Sequence, residues 1–462
     1  MNWLMDTDSY KFSHPQLYPK GMTYMMSYLE SRGGDFPEVS FFGLQYLLKK
    51  YLSKRITMDD ILYAQRFFKK HGVPFDYDGW RHIAVNCGGY LPVKISAIEE
   101  GTAVPTGNAL LTVESTDPRV PWIVSHIETI LVRLWYPTTV ATLSRNTKEL
   151  IYQYLEATAD DPNGEIAFKL HDFGSRGVSS QESAAIGGGS HLVNFMGSDT
   201  VAGIEFIRSF YSYKDLMPAF SIPASEHSTI TSWGEENEFE AYKNLINVYK
   251  DTPLYACVSD SYDLVGALKM WGALKDRMGK GMLVVRPDSG DPTTNIIKTL
   301  TELEKQFGAT KNSKSFKVLN KVRIIQGDGV NYESIEKMLV AIVNRGYSIT
   351  NVAFGMGGAL LQKVNRDTQS FAYKCCAIKV GDEVRKVYKK APGKFSKSGL
   401  LGLVKGVDDK YVTKENVDPK DNLLKPVFLD GRILSNITID EVRENARIPF
   451  KERTKEWVDH KL

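Results

Sequence analysis

The sequence predicts an α/β protein built around a barrel-like sheet of parallel strands. From about residue 165 onward, short apolar runs alternate with longer segments whose apolar residues recur at helical spacing. This alternation is typical of parallel strands joined by right-handed crossovers, and seven such runs favour closure into a barrel. Several runs end in polar or glycine-rich turns, which is where α/β proteins bind ligands.

The individual elements follow one another in a regular order. The runs predicted as strands are residues 166–170, 192–195, 219–222, 254–258, 282–285, 322–325 and 351–354. The segments predicted as helices are residues 200–211, 235–249, 293–307 and 332–344. Earlier in the chain, residues 92–98 and 109–113 flank a turn rich in Gly and Pro and indicate a β-hairpin.

Composition excludes several other classes of protein. The 462 residues include 58 basic and 55 acidic side chains without a long basic block, so we expect no nucleic-acid partner. The most apolar long window, residues 122–143, contains Glu128 and Arg133 and has its apolar residues at helical spacing, which indicates an amphipathic core helix, so we expect no membrane partner. The N-terminus lacks the pattern of a signal peptide and the four cysteines show no C-x-x-C spacing, which favours a cytoplasmic location.

Four predicted strands end in turns of similar chemistry. Glycines there let backbone N–H groups approach an anion, arginine pairs with phosphate, and carboxylates beside a phosphate imply ribose hydroxyls or Mg²⁺ between them. A single Gly-Asp-Gly is usually only a turn, but four similar strand ends predict a site for a phosphorylated sugar. The residues are Asp260, Arg286, Asp288, Gly327, Asp328, Gly357 and Gly358.

Two further segments stand out. The first, KLHDFGSRGVSS at residues 169–180, brings Phe173, Arg176 and two glycines to the end of a predicted strand and leads into a capping-box pattern. The second, SEHST at residues 225–229, places His227 between an acidic residue and a helix start. Taken alone, a histidine in this position is more often an ordinary polar contact than a catalytic group.

These segments, together with DTDSY at residues 6–10, resemble the nicotinamide phosphoribosyltransferase family, and the resemblance extends almost to the C-terminus. It implies a barrel-like phosphoribosyltransferase domain at residues 151–370 and an α+β domain built from both chain ends, residues 1–150 with 371–462. It implies synthesis of nicotinamide mononucleotide and diphosphate from nicotinamide and 5-phosphoribosyl diphosphate, in NAD biosynthesis or salvage. It also implies Mg²⁺ as cofactor, ATP as co-substrate, and a homodimer with shared active sites.

The resemblance implies roles for residues around the base. Phe173 would stack on the pyridine ring, and Tyr10 of the partner subunit, from the motif that also contains Asp8, would cover its other face. Arg286 would face the carboxamide and the diphosphate. Asp199 would accept a hydrogen bond from the amide of nicotinamide and repel the carboxylate of nicotinate, although an acid at a helix start is otherwise an N-cap or first-turn residue.

The remaining roles concern the phosphates and ATP. Asp288 would lie on the ribose side, and His227, oriented by Asp260, would be transiently phosphorylated by ATP. His171 and His191 are expected in core or capping positions, and no His/Cys/Asp cluster shows the spacing of a zinc site. The residues expected at the diphosphate and the ribose phosphate are Arg176, Gly327, Asp328, Gly357, Gly358, Arg366, Arg32 and Lys374.

Alternatives remain open at this point. For Arg32, Arg366 and Lys374, the alternative to a phosphate contact is a solvated surface charge. Within the same architecture, the substrate could be nicotinate instead of nicotinamide. A rival of another class is a non-catalytic barrel that binds a phosphosugar, in which His227 is merely structural.

Overall fold

The computed structural model describes residues 3–211, 217–391 and 394–449. These residues form two compact units. The first contains residues 3–142, 206–211 and 365–447, and the second contains residues 143–205, 217–364 and 448–449. The domain limits expected from the sequence stay a prediction, because compactness alone does not establish where an independently folding domain begins.

The second unit contains a sheet of parallel strands, as predicted. In spatial order the strands are Gly197–Ser198, Leu170–Asp172, Val352–Met356, Val322–Gln326, Met282–Arg286 and Leu254–Val258. Every neighbouring pair in this order is parallel. Most residues of these strands are buried, and the strands Val322–Gln326 and Met282–Arg286 are rich in Val, Ile and Leu, as is typical of parallel sheets.

A seventh segment, residues 219–225, joins the two edges of this sheet. Phe220 forms a parallel bridge with Gly197 on one edge, and Ala224 forms another with Ala256 on the opposite edge. The bridges remain isolated because the segment contains Pro223, which has no N–H to donate, although its carbonyl accepts from the Ala256 N–H at 2.8 Å. The barrel-like fold class is therefore confirmed.

Helices follow the strands at positions set by their N-caps. Asp263 caps the helix Leu264–Leu274, and Asp291, followed by a proline, caps the helix Pro292–Phe307. Asn331 and Ser334 form a capping box at the start of the helix Tyr332–Asn344. Each cap lies a few residues after a strand end and thereby fixes the loop between them.

The described α-helices vary in length from a single turn to seven turns. Their bounds are Leu44–Leu47, Met58–His71, Tyr77–Asn86, Ile123–His126, Glu128–Val132, Trp135–Thr158, Pro162–Glu165, Gln181–His191, Val201–Phe210, His227–Thr231, Glu238–Tyr249, Leu264–Leu274, Pro292–Phe307, Tyr332–Asn344, Gly358–Leu361 and Ile439–Asn445. Those predicted from periodicity are confirmed to within a few residues, except that the predicted start at residue 235 is a short 3-10 turn, Glu235–Asn237.

Two predicted strands are wrong, and a third, residues 219–222, pairs only through an isolated bridge. Residues 166–168 form a 3-10 turn and the strand begins only at Leu170, because Asp161 caps a helical turn that extends through the apolar run. Residues 192–195 continue the end of the helix Gln181–His191 as a turn, and the short strand lies at Gly197–Ser198. In both segments the apolar run reflects burial, which any core element can provide and which does not by itself indicate a strand.

The first unit is built around a seven-stranded antiparallel sheet in which both ends of the chain take part. Met22–Ser31 pairs with Phe371–Val380 on one side and with Ala109–Ser115 on the other. The predicted hairpin is confirmed, since Val93–Ala97 pairs antiparallel with Ala109–Ser115. The remaining strands of this sheet are Glu383–Lys386, Lys425–Leu429 and Arg432–Ile433.

Smaller antiparallel pairs complete the strands of the described residues. They are Glu38–Ser40 with Ala103–Pro105, Leu401–Lys405 with Tyr411–Glu415, Ala309–Lys311 with Lys317–Leu319, and Lys390–Ala391 with Lys394–Phe395. Within the ranges that the structure describes, no helix combines the length and apolar character needed to cross a membrane.

Candidate active site

All seven segments of the barrel end at the same site. Because the strands are parallel, their carboxyl ends lie at one end of the barrel. The residues found there were expected to be functional and include Phe173, Asp199, Asp260, Arg286, Gly327 and Gly357. The closing segment contributes as well, since it leads directly into the helix that starts at His227.

Glycines make room for the Phe173 ring. A Cβ at Gly355 would lie 2.0 Å from Phe173 Cε2, so only glycine lets the ring lie over that strand. A Cβ at Gly327 would lie 3.5 Å from the same ring carbon, 3.1 Å from Asp288 Oδ1 and 3.8 Å from Arg286 Cδ. Gly327 thus lies between the aromatic ring and the charged pair.

The loops after Phe173 and after the strand Val352–Met356 pack closely together. The Phe173 N–H donates to the Met356 carbonyl at 3.0 Å, and the buried Asp172 accepts from the Gly174 N–H at 2.7 Å. A Cβ at Gly177 would lie 3.3 Å from Gly358 Cα. Arg176 extends from the first of these loops and is exposed.

A network of charged groups links His227 to Arg286. His227 Nε2 lies 3.2 Å from Asp260 Oδ1, and Asp260 Oδ2 accepts from the Asp288 N–H at 2.8 Å and from Ser289 Oγ at 2.5 Å. Arg286 Nη2 donates to Asp288 Oδ2 at 3.0 Å. The Asp260 side chain is 5% exposed and the His227 side chain 44%, so a buried carboxylate orients an accessible imidazole.

Asp199 forms the opposite wall of the site. Its Oδ1 lies 2.9 Å from His171 Nε2 and 2.5 Å from Ser221 Oγ. Burial works to raise the pKa of this carboxyl, but the hydrogen bonds from His171 and Ser221, together with the charge of Arg286, hold the pKa below its usual value. Asp199 is therefore ionised at neutral pH.

A cavity of about 400 Å³ runs from this site into the barrel. His171, Phe173, Asp199, Ser221 and Arg286 line its carboxyl end, while Lys169 and Arg323 line its amino end. Its volume lies in the range of small-molecule sites.

Sequence reasoning missed two groups of this cavity and assigned a third wrongly. His171, expected in a core or capping position, instead contacts Asp199 in the site, because it lies on the inner face of its strand. His171 and Phe173 are two positions apart, and residues at this spacing in a strand lie on the same face of a sheet. This spacing is the sequence feature that could have assigned His171 to the site. Ser221 lies in an irregular segment and gave no pattern, and Lys169 is buried among the carbonyls of the loop that precedes Val352. His191 does occupy the core, where its Nδ1 lies 2.9 Å from Ser144 Oγ.

The other expected site residues belong to the first unit. Tyr10 is 58% exposed and its ring packs against His14, while Asp8 accepts from Thr129 Oγ1 at 2.9 Å. Arg366 is exposed, and its Nη2 lies 3.6 Å from Asp367 Oδ1.

Lys374 lies in the antiparallel sheet of that unit, and Arg32 lies directly after one of its strands. Arg32 follows the strand that pairs with the one carrying Lys374, and Arg32 Nε donates to the buried Glu30 at 2.7 Å. Lys397 donates to the other oxygen of Glu30. Lys374 is exposed. Two of these three cations are thus paired with one buried carboxylate.

One cluster in the first unit has metal-ligand chemistry. The potential ligand atoms of His82, Cys87 and Asp117 all lie within 4.8 Å of one another, which the sequence spacing did not indicate. However, His82 Nε2 and Asp117 Oδ2 are 2.7 Å apart, a hydrogen-bond distance, whereas two ligands of one tetrahedral zinc ion are separated by roughly 3.3 Å. The cluster is therefore a hydrogen-bonded group as it stands.

The chain matches two protein-family models. The model of the nicotinate phosphoribosyltransferase (NAPRTase) family matches residues 168–430, and the model of the nicotinamide phosphoribosyltransferase N-terminal domain matches residues 2–95. The chain is 45% identical to a nicotinamide phosphoribosyltransferase of Xanthomonas campestris, with 96% of this chain and 98% of that protein covered.

Two solved structures share the fold. One is a nicotinate-nucleotide pyrophosphorylase from Pyrococcus furiosus, with a TM-score of 0.61, 16% identity, and coverage of 95% of this chain and 93% of the other. The second is human nicotinic acid phosphoribosyltransferase, with a TM-score of 0.53, 16% identity, and coverage of 95% and 92%. Together with the near full-length sequence match, the barrel and the cluster at its carboxyl end lead to one conclusion: the chain belongs to the nicotinamide phosphoribosyltransferase family and is a pentosyltransferase enzyme.

Proposed function

We propose that this enzyme joins nicotinamide to 5-phosphoribosyl diphosphate and releases nicotinamide mononucleotide and diphosphate. The observation that carries the proposal is the ionised Asp199 carboxylate at the mouth of a cavity that also contains the Phe173 ring. A flat ring stacked on Phe173 would present its amide N–H to this carboxylate. Arg286 alone would favour a base with a negatively charged substituent, such as the carboxylate of nicotinate. However, Asp288 forms an ion pair with Arg286 and already balances its charge.

In the reaction, the pyridine nitrogen bonds to C1 of the ribose and the bond from C1 to the diphosphate breaks. Arg286 supports a role at the diphosphate, because in the described part of the chain its Nε is buried without an acceptor. Developing positive charge on the ribose would be balanced by Asp288. The basic residues Arg176, Arg366, Arg32 and Lys374 are proposed phosphate ligands.

Mg²⁺ fits the donors present at the strand ends. Asp288 and Asp328 follow neighbouring strands, and carboxylate oxygens are the protein ligands that Mg²⁺ prefers. When bound, the ion would neutralise the leaving diphosphate. Asp288 would then serve both the ion and Arg286.

We also propose that ATP acts through His227. Asp260 Oδ1 accepts from Nε2–H, which leaves Nδ1 with its lone pair, 3.9 Å from Asp288 Oδ2. The γ-phosphoryl group would pass to Nδ1 with release of ADP, and water would later hydrolyse the phosphohistidine. The 44% exposure of His227 supports access by ATP.

The active assembly is proposed to be a cytoplasmic homodimer with shared sites. The support within this chain is Tyr10, a large aromatic residue that is 58% exposed and so available to cover a base bound by a second subunit.

The second candidate is a nicotinate phosphoribosyltransferase, which the match to the NAPRTase family model favours. The two candidates are separated by supplying 5-phosphoribosyl diphosphate, Mg²⁺ and either base, with and without ATP, and identifying the products by mass spectrometry. We expect nicotinamide mononucleotide and stoichiometric diphosphate, and more product with ATP. Formation of the nicotinate product alone would contradict the proposal, and so would the absence of product with either base.

A further inference from the structure

His171 occupies a constrained place beside the base-recognition carboxylate. It lies on the strand Leu170–Asp172, its side chain is 14% exposed, and its ring centroid is 5.1 Å from that of Phe173. Its Nε2 lies 2.9 Å from Asp199 Oδ1. The imidazole therefore touches both groups that would contact a bound base.

The neighbouring strand supports the imidazole from behind. His171 pairs with Gly197, and a Cβ at Gly197 would lie 2.8 Å from His171 Nδ1. Only glycine leaves room for the ring at this position. With Nδ1 against Gly197, Nε2 is the nitrogen that faces Asp199.

Asp199 is anchored through one oxygen. Its N–H donates to the Asp172 carbonyl at 3.0 Å, which fixes the backbone, and both His171 Nε2 and Ser221 Oγ contact Oδ1. Across the described residues no group bonds Oδ2. Two donors on one oxygen set the rotation of the carboxylate and leave the other oxygen available to a ligand.

We propose that His171 is a positioning residue that holds Asp199 through Oδ1, so that Oδ2 meets the amide of the base, and that it thereby sets the preference for nicotinamide over nicotinate. This inference rests on the proposed function. Ser221 alone can bond Oδ1 but can follow the carboxylate as it rotates, because its hydroxyl is free to turn. The imidazole of His171 is held between Gly197 and Phe173, so it cannot move with the carboxylate when the carboxylate rotates.

A double-mutant cycle tests this role. The full-length enzyme, His171→Ala, Asp199→Asn and the double variant are compared by the ratio of kcat/KM for nicotinamide to kcat/KM for nicotinate. We expect His171→Ala to lower the ratio at least tenfold, but to change it less than about twofold when Asp199 is already Asn, because the residue acts through that carboxylate. Equal effects in both backgrounds would overturn the proposal.

Two further variants keep the test decisive if His171→Ala does not fold. His171→Gln places an amide N–H near the position of Nε2 and should restore most of the ratio, mainly through KM for nicotinamide. Gly197→Ala should displace the ring and lower the ratio while His171 is still present. A ratio that is the same in Gly197→Ala as in the wild type would also contradict the proposal.

His82→Ala is the matched control, because it removes a buried histidine that contacts Asp117 and belongs to the other compact unit. It should lower the thermal stability without changing the ratio. If the wild-type enzyme shows no preference between the bases, the proposed function fails. If the preference exists and the cycle is additive, only the role of His171 is refuted.

Discussion

Replacing Asp199 with Asn should reduce the difference in kcat/KM between nicotinamide and nicotinate, chiefly by raising kcat/KM for nicotinate. The substitution keeps the size of the side chain and an oxygen that accepts from the amide of nicotinamide, but removes the charge that repels a carboxylate. Two unit charges about 4 Å apart repel by about 4 kcal/mol at an effective dielectric of about 20. The Asp199 side chain is 49% exposed, and doubling the dielectric to about 40 to account for this lowers the repulsion to about 2 kcal/mol.

These energies correspond to a change in the ratio of kcat/KM values of roughly 30-fold to a thousandfold. The assay is steady-state kinetics with each base at saturating 5-phosphoribosyl diphosphate. The pKa of Asp199 lies below the usual value of 3.8, so its charge is present above that range and is lost only as the pH falls through the lowered pKa. The wild-type preference should therefore be constant from pH 8 to about pH 5 as far as this group is concerned. An Asp199→Asn enzyme that keeps the wild-type ratio would refute the reasoning.

Three further predictions follow from the site. His227→Ala should abolish ATP hydrolysis and the acid-labile phosphate on the protein but leave basal transfer, and acid-labile phosphate undiminished in this variant would contradict the ATP proposal. Mixed dimers of a Tyr10→Ala chain with a Phe173→Ala chain should recover activity that neither variant has alone, and proven mixed dimers without recovery would argue against shared sites. Gly355→Ala should raise KM for nicotinamide by about twofold to tenfold, the value of one aromatic stack, because its Cβ would displace the Phe173 ring. It should add little to Phe173→Ala, and additive effects would count against this explanation.

The barrel could be predicted from the sequence because most of its strands are apolar runs with turn-forming residues at both ends. The strands Leu254–Val258 and Met282–Arg286 each lead into a polar turn and then a helix N-cap. The positions at which these strands end can therefore be predicted from the neighbouring residues alone. Gly197–Ser198 is too short to show a pattern, and residues 219–225 pair only through isolated bridges. These segments are ordered by the neighbouring strands, which no local window contains.

The same distinction explains which site residues could be predicted. Arg286 and Asp260 follow recognisable strands, and their network with His227 forms because parallel strand ends converge. Taken by itself, His171 could not be assigned to the site from the sequence, because a histidine within a short strand shows neither which face of the sheet it lies on nor which residue it contacts. The space for the Phe173 ring depends on Gly355 and Gly327, which come from two other strands, and this requirement becomes visible only when the strands are assembled.

We propose above that the carboxyl end of this barrel selects nicotinamide for phosphoribosyl transfer. The most direct test of this proposal is a competition in which equal concentrations of isotopically labelled nicotinamide and nicotinate share one limiting supply of 5-phosphoribosyl diphosphate, because the product ratio then equals the ratio of kcat/KM values. We expect nearly all of the product to be nicotinamide mononucleotide. Equal amounts of the two mononucleotides, or an excess of the nicotinate product, would contradict it.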